Sequence, residues 1–251
     1  MDKFKSLKGK IILITGTSRG IGKKIAEAFL ENETIVIGIS RNNNHQNIIK
    51  NKNYTHFFCD LNNDKEIYNT ISLINKNYKK LDILINNAGI TKENTKSIIK
   101  NVDSFNKTIK INLTAAYIFS MMFVDKIKKN KRGGSIINIA SIGGELGFPN
   151  NPSYISSKSA LIGLTRSFAR DYGKSKINCN AILPGYFKTD MNKKSLNNKK
   201  KKVQRENLTM LGRWGEIEEL VGTVLFLSSD SAKYITGQKI IVDGGIVAKG
   251  L

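Results

Sequence analysis

Short apolar runs rich in Ile and Val alternate with longer stretches of helical spacing along nearly the whole chain. "KIILIT" (10–15), "TIVIGIS" (34–40), "YTHFFC" (54–59), "LDILIN" (81–86), "SIINIA" (135–140), "INCNAI" (177–182) and "KIIVD" (239–243) read as β-strands. Several are apolar at consecutive positions, the mark of strands covered on both faces. Helix candidates lie at about 20–31, 63–78, 103–130, 153–173 and 215–229. This βαβ alternation predicts an α/β fold, a doubly wound, seven-stranded parallel sheet flanked by helices on both faces. Neither a repeat nor a linker interrupts it, so residues 1–251 are expected to form one domain. The polar stretch 188–210 breaks the rhythm. It reads as a lid, and its Lys/Asn run (188–208) suits either a helix pair or partial disorder.

Composition narrows the class. With 40% hydrophobic and 24% charged residues the chain reads as an ordinary water-soluble protein. No apolar run approaches the ~20 residues that span a bilayer. The start "MDKFKSLKGK" lacks the apolar core of a secretory signal, so a cytoplasmic location is expected. Cys59 and Cys179 form no CxxC pair, and His45 and His56 are the only imidazoles, so no metal site is expected. The net charge of +21 has two readings. One is attraction to nucleic acid, a membrane surface or an anionic substrate. The other is compositional drift, since Lys, Asn and Ile are overused together. Scattered lysines without interleaved aromatics favour drift, and neither a nucleic-acid nor a membrane partner is expected.

Candidate chemistry begins at "TGTSRGIG" (15–22), after the first strand and at the start of the first helix. Gly16, Gly20 and Gly22 permit a tight turn, close approach of backbone to phosphate, and close helix–strand packing. With Ser18, Arg19 and Ile21 they form a candidate Rossmann-type dinucleotide loop, whose helix N-terminus offers N–H groups to a pyrophosphate. A bare helix start is the simpler alternative. The second strand ends "GISRN", with Ser40 and Arg41 where an NAD site carries Asp or Glu. A guanidinium from Arg41 or Arg19 suits a 2′-phosphate, so NADP(H) is favoured over NAD(H).

Further along, "YISSK" puts Tyr154 and Lys158 four residues apart, on one helical face. "CDL" (59–61), "NNAG" (86–89), "IKINL" (109–113), "IINIAS" (136–141) and "PGYFKTD" (184–190) complete an ordered set. With these motifs the chain resembles the short-chain dehydrogenase/reductase family, in its single-domain branch, from "KGKIILITGTSRGIG" to "GQKIIVDGG". The resemblance implies a catalytic tetrad of Asn112, Ser141, Tyr154 and Lys158. Tyr154 would exchange a proton with the substrate oxygen and Ser141 would polarise the carbonyl. Lys158 would stabilise the phenolate electrostatically and bond the nicotinamide ribose. Asn112, within a long helix, would hold a water that relays protons. It also implies cofactor contacts at Asp60 and Leu61 for adenine, and at Asn86, Ala88 and Gly89 along the ribose and phosphate edge. Pro184, Gly185, the Phe187 backbone and Thr189 would hold the nicotinamide. A homotetramer built on the helices around 103–130 and 153–173 follows from the same resemblance.

The resemblance implies a small-molecule or carrier-bound carbonyl compound as substrate. "GGELGFPNN" (143–151), "TKENTK" (91–96) and the lid would shape its pocket, with apolar surface from Gly147, Phe148 and Phe187. Lys188, Lys193 and Lys194 would favour an anion, or are merely solvated. Two branches are similar. The 3-oxoacyl-acyl-carrier-protein reductases share "NNAGIT" and "PGYFKTDM", although of their two docking arginines Arg170 is kept and Ser135 stands at the other position, with Arg132 close by as an alternative. Gluconate 5-dehydrogenases and related sugar-acid enzymes share "LGRWG" (211–215). A non-catalytic NADP-binding regulator is the rival from outside catalysis, and the intact tetrad argues against it.

Overall fold

The computed structural model describes residues 4–41, 48–92, 94–130 and 132–249. His45, and Glu93 of the expected pocket segment, lie outside them. β1 (Ile11–Thr15) shows why such a strand is apolar throughout: Ile11 and Leu13 enter one core, Ile12 and Ile14 the other. It is joined by β2 (Ile35–Ser40), β3 (Tyr54–Phe58), β4 (Ile83–Asn86), β5 (Gly134–Ile139), β6 (Ile177–Pro184) and β7 (Lys239–Val242). The sheet order is β3-β2-β1-β4-β5-β6-β7 and every pairing is parallel. The expected seven-stranded doubly wound sheet is observed.

The helices are α1 (Gly20–Glu31), α2 (Asp64–Asn77), α3 (Ile98–Ile109), α4 (Ala115–Asn130), α5 (Pro152–Tyr172), α6 (Lys193–Leu196), α7 (Lys199–Leu208) and α8 (Ile217–Ser228). Helices α2, α4 and α5 cover one face of the sheet through Ile67, Ile74, Phe119, Phe123 and Phe168. Helices α1 and α8 cover the other through Ile25, Phe29, Leu220 and Val224. Each such side chain, fully buried, contributes about 1.5–3 kcal/mol.

Several boundaries depart from the pattern reading. The strand expected at 81–86 begins at Ile83, because the Asp82 carboxylate accepts the Ile11 N–H at 2.8 Å in place of a ladder carbonyl. The sixth strand runs on to Pro184. The helix expected over 103–130 starts at Ile98, where Ser97 caps it by accepting from Lys100 N–H, and a π turn at Lys110–Thr114 divides it. The lysine-rich stretch 188–208 resolves into the helix pair α6 and α7.

The strand order reverses between β1 and β4. In open α/β sheets a crevice forms there, outside the carboxyl ends of the strands. The loops after β1, β4, β5 and β6 all leave from that edge.

Candidate active site

The glycine loop is fastened to the loop after β4. Thr15 Oγ1 accepts from Asn87 N–H at 3.1 Å and Ala88 N–H at 3.0 Å, and Asn87 Nδ2 donates to Thr15 O at 2.9 Å. Gly16 sits at φ +80°, in the left-handed region. A Cβ on Gly22 would lie 2.2 Å from Gly16 O, so only glycine lets α1 approach its own entry loop this closely. The N-cap of α1 is Arg19, a side chain with no acceptor for the first N–H groups. Those donors and the positive end of the helix dipole are left for an outside anion. A groove of about 480 Å³ runs beside Gly20 and Lys23 toward Lys188, Thr189 and Lys193. Glycine cradle, open helix start and flanking cations fit a dinucleotide.

The remaining expected cofactor residues fall at this edge with differing freedom. Ser18, Arg19, Ile21 and Arg41 are at least partly exposed. Ser40 is buried, its Oγ 3.1 Å from His56 Nε2. Asp60 accepts from Asn62 N–H at 3.0 Å, a local turn that fixes its carboxylate, while the Leu61 side chain is in the core. Gly89, Gly185 and Thr189 keep partial access. Pro184 is buried as the last residue of β6, so the turn begins at Gly185, whose N–H donates to Val242 O at 2.8 Å. Two expectations need correction. The Asn86 side chain does not line the crevice. It follows Leu84 into the core, where Nδ2 donates to Asn138 Oδ1 at 2.8 Å and Ser120 Oγ at 3.0 Å. The Phe187 ring is likewise buried, against Gly215, and gives the pocket no apolar wall.

The four tetrad residues converge on the same edge from β5, α5 and the π turn. Ser141, after β5, is buried and accepts from Gly143 N–H at 3.0 Å. Tyr154 lies in the first turn of α5, with Ser141 near enough to its phenol to affect its titration. One turn on, Lys158 is only 4% exposed and donates to Ile139 O at 2.7 Å. Its Nζ stands 5.7 Å from the centre of the Tyr154 ring. A Cβ on Gly89 would meet Lys158 Nζ at 3.4 Å and Asn112 Oδ1 at 3.5 Å, which brings the post-β4 loop into the cluster.

The electrostatics differ from expectation. Burial raises the Tyr154 phenol above its ordinary range, and the Ser141 hydrogen bond pulls it part of the way back. Lys158 is lowered by burial to about 8. Ser141 favours the phenolate by its hydrogen bond, and the Lys158 amine, 5.7 Å from the ring centre and held by the Ile139 carbonyl, adds a positive charge beside it. The Asn112 side chain is fully engaged. Its Oδ1 accepts from Ile90 N–H at 2.8 Å, and Nδ2 donates to Ile90 O at 2.9 Å and to Ser157 Oγ at 3.0 Å. Both amide hydrogens are engaged, so Asn112 clamps the post-β4 loop to α5. The π turn supplies the local rotation that lets one side chain reach both.

Sequence reasoning passed over Thr15, Asn87 and Ser157. Period-2 reading of β4 would have found Asn87, because Asn86 shares the inward face of Leu84 and the next residue leaves the strand.

Known proteins place the chain in a family. Residues 16–247 match the family model described as enoyl-(acyl carrier protein) reductase. The chain belongs to that family, one of the short-chain dehydrogenases/reductases. A 3-oxoacyl-[acyl-carrier-protein] reductase from Rickettsia felis is 42% identical over 246 residues, covering 96% of this chain and 98% of the relative. Among solved structures, 4-hydroxyisoleucine dehydrogenase complexed with NADH superposes with a TM-score of 0.91 at 35% identity, covering 96% and 100% of the two chains. A gluconate 5-dehydrogenase from Burkholderia cenocepacia, in complex with NADP and tartrate, gives a TM-score of 0.88 at 26% identity, covering 98% and 99%. No helix among the described residues is long and apolar enough to cross a membrane.

Proposed function

We propose that the chain is an NADP(H)-dependent reductase of carbonyl groups, acting on 3-oxoacyl thioesters held by an acyl carrier. The observation that carries the reading is the convergence of Tyr154, Ser141 and Lys158 at the carboxyl edge of the sheet, with Lys158 Nζ 5.7 Å from the centre of the Tyr154 ring. The 42% identical relative gives the substrate class. Ser40 and Arg41 at the end of β2 favour a 2′-phosphate, and Gly16, Gly20 and Gly22 with the α1 N-terminus would hold the pyrophosphate.

The nicotinamide, when bound, supplies or takes the hydride. The rest falls to side chains. In reduction the neutral Tyr154 phenol gives its proton to the substrate oxygen, while the Ser141 hydroxyl donates to that oxygen as negative charge grows on it. Tyr154 then regains a proton from solvent by way of Lys158. The same residues run in reverse for alcohol oxidation. We place the enzyme in the cytoplasm, as a one-domain subunit of a homotetramer, with the stretch 188–210 as the substrate lid.

Tyr154→Phe tests the assignment. It should bind NADPH as the parent does and lose turnover by at least about 10²-fold, as expected for loss of a general acid. Unchanged turnover on a confirmed substrate would remove Tyr154 from the chemistry. Following NADPH absorbance over acetoacetyl and crotonyl thioesters, ketogluconates and simple ketones then fixes the substrate and separates C=O from C=C reduction.

A sugar-acid substrate is the second reading, and one observation favours it. Ser135 is buried and donates to Leu227 O at 3.2 Å, so that position offers no cation to a carrier. Higher kcat/KM on ketogluconates than on thioesters would select it.

A further inference from the structure

A second chain of polar groups lies apart from the tetrad, at the adenosine end of the crevice, and the reaction above makes no use of it. Thr17 Oγ1 is 2.9 Å from the Tyr54 hydroxyl, which is 2.9 Å from His56 Nδ1. His56 Nε2 is in turn 3.1 Å from Ser40 Oγ. The chain therefore joins the glycine loop to the end of β2 by way of the edge strand β3. Gly38, in register with His56, makes room for it: a Cβ there would lie 2.0 Å from the Tyr54 oxygen and 2.6 Å from Thr17 Oγ1.

Counting hydrogens shows what the chain can do. A neutral imidazole has one N–H and one bare nitrogen. With Nδ1 bare, Thr17 donates to Tyr54, Tyr54 donates to Nδ1, and Nε2–H donates to Ser40. Only the Ser40 hydrogen then points outward. In the other tautomer every arrow reverses, and only the Thr17 hydrogen is free. An imidazolium donates from both nitrogens, Tyr54 donates to Thr17, and both end hydroxyls are released together.

We propose that His56 is a proton-linked positioning residue for the phosphorylated cofactor: a phosphate monoester beside Ser40 and Arg41 draws a proton onto the imidazole, which frees both end hydroxyls as donors. The proposal rests on the NADP reading of the site. Burial holds the free His56 below its ordinary range, so it is neutral at pH 7 without the anion. A phosphate dianion nearby favours the charged ring. Among the described residues, the groups against the ring are the Ser40 hydroxyl from β2 and the Tyr54 phenol and Phe58 ring from β3. Of these only Tyr54 titrates, and burial raises it, so it stays neutral through the same range. Arg41, next to Ser40, is the cation that opposes the ring's charge. A dinucleotide without the 2′-phosphate supplies no such charge and draws no proton.

The whole chain carrying His45→Gln has His56 as its one imidazole and suits an NMR titration of the ring. It is titrated alone, with 5′-AMP, and with adenosine 2′,5′-bisphosphate at concentrations calorimetry shows to be saturating. The bisphosphate should raise the His56 midpoint by about one pH unit or more, and 5′-AMP should leave it in place. A bound bisphosphate with an unmoved midpoint overturns the proposal. A bisphosphate that does not bind overturns the NADP reading first, and the proposal with it.

Cofactor fluorescence gives a second readout without substrate, comparing the parent with His56→Gln, whose amide keeps a donor and an acceptor but takes up no proton. The parent's preference for NADPH over NADH should grow as pH falls from the bound to the free His56 midpoint, by about tenfold per unit between them. The variant should lack that growth, and equal growth in both chains overturns the proposal. Protonation of the phosphate itself, near pH ~6, affects both chains alike. Should the variant not fold, the NMR titration decides alone.

Discussion

Lys158 is a buried amine with one strong partner, the Ile139 carbonyl, and the chain bears a stability cost for keeping it there. In the unfolded chain the amine titrates near 10.5 and in the fold near 8. The folded state is therefore penalised fully below about pH 8, less as pH rises from 8 to 10.5, and not at all above that. Lys158→Met removes the buried cation at similar length. It should raise stability at pH 7 by about 2 kcal/mol, being a shift worth about 3 less the lost hydrogen bond. The advantage should fade toward pH 10.5, while turnover is lost throughout. Urea unfolding of both chains at pH 7, 9 and 10.5 measures it, and a pH-independent difference would contradict the account. The sequence shows the tetrad because four residue types stand in fixed order with one helical turn between Tyr154 and Lys158. It does not show their partners. A backbone carbonyl 19 residues back carries no residue-type signal, and neither does the Ile90 peptide that holds Asn112.

At the scale of elements, α7 is built against its own dipole. Lys199 to Lys202 fill its first turn, where the helix presents positive charge, and only Asn198 caps it, accepting from Lys201 N–H at 3.0 Å. Each cation there is unfavourable by about 0.3–1 kcal/mol. Lys199→Glu with Lys200→Glu should tighten α7 by about 1–2 kcal/mol, read as slower amide exchange over 199–208. Exchange left unchanged would mean that packing, and not charge, sets the helix's stability. The sheet was legible because strands apolar at consecutive positions have no other economical burial. The interruption of the long helix was not, since a π turn depends on what Asn112 must reach and not on local propensity. The helix pair of α6 and α7 was only half legible, because a run of Lys and Asn lacks an apolar stripe to give its period.

For the whole molecule, 41 basic against 20 acidic side chains leave a surplus of 21 that no internal ion pair can absorb. The pairs that do form, such as Lys129–Asp125 and Lys233–Asp230, are exposed and contribute little. The surplus opposes any assembly of copies through long-range repulsion. An apolar surface favours assembly nonetheless: Tyr117 is 46% exposed and Met121 37% on α4, beside the edge-packed rings of Phe168 and Tyr172 on α5. If four subunits meet on this face, salt should strengthen the tetramer, because raising ionic strength from about 50 to about 500 mM shortens the reach of the repulsion and leaves apolar burial intact. Tyr117→Glu with Met121→Glu should sediment as a smaller species at every salt concentration. A surplus serving nucleic acid would behave oppositely, since binding to a phosphate backbone weakens steeply as salt rises. Sedimentation velocity of the parent and the double variant across that range, with and without a DNA duplex, separates the two. Assembly that weakens with salt, or a duplex that co-sediments at low salt only, would assign the charge to polyanion binding.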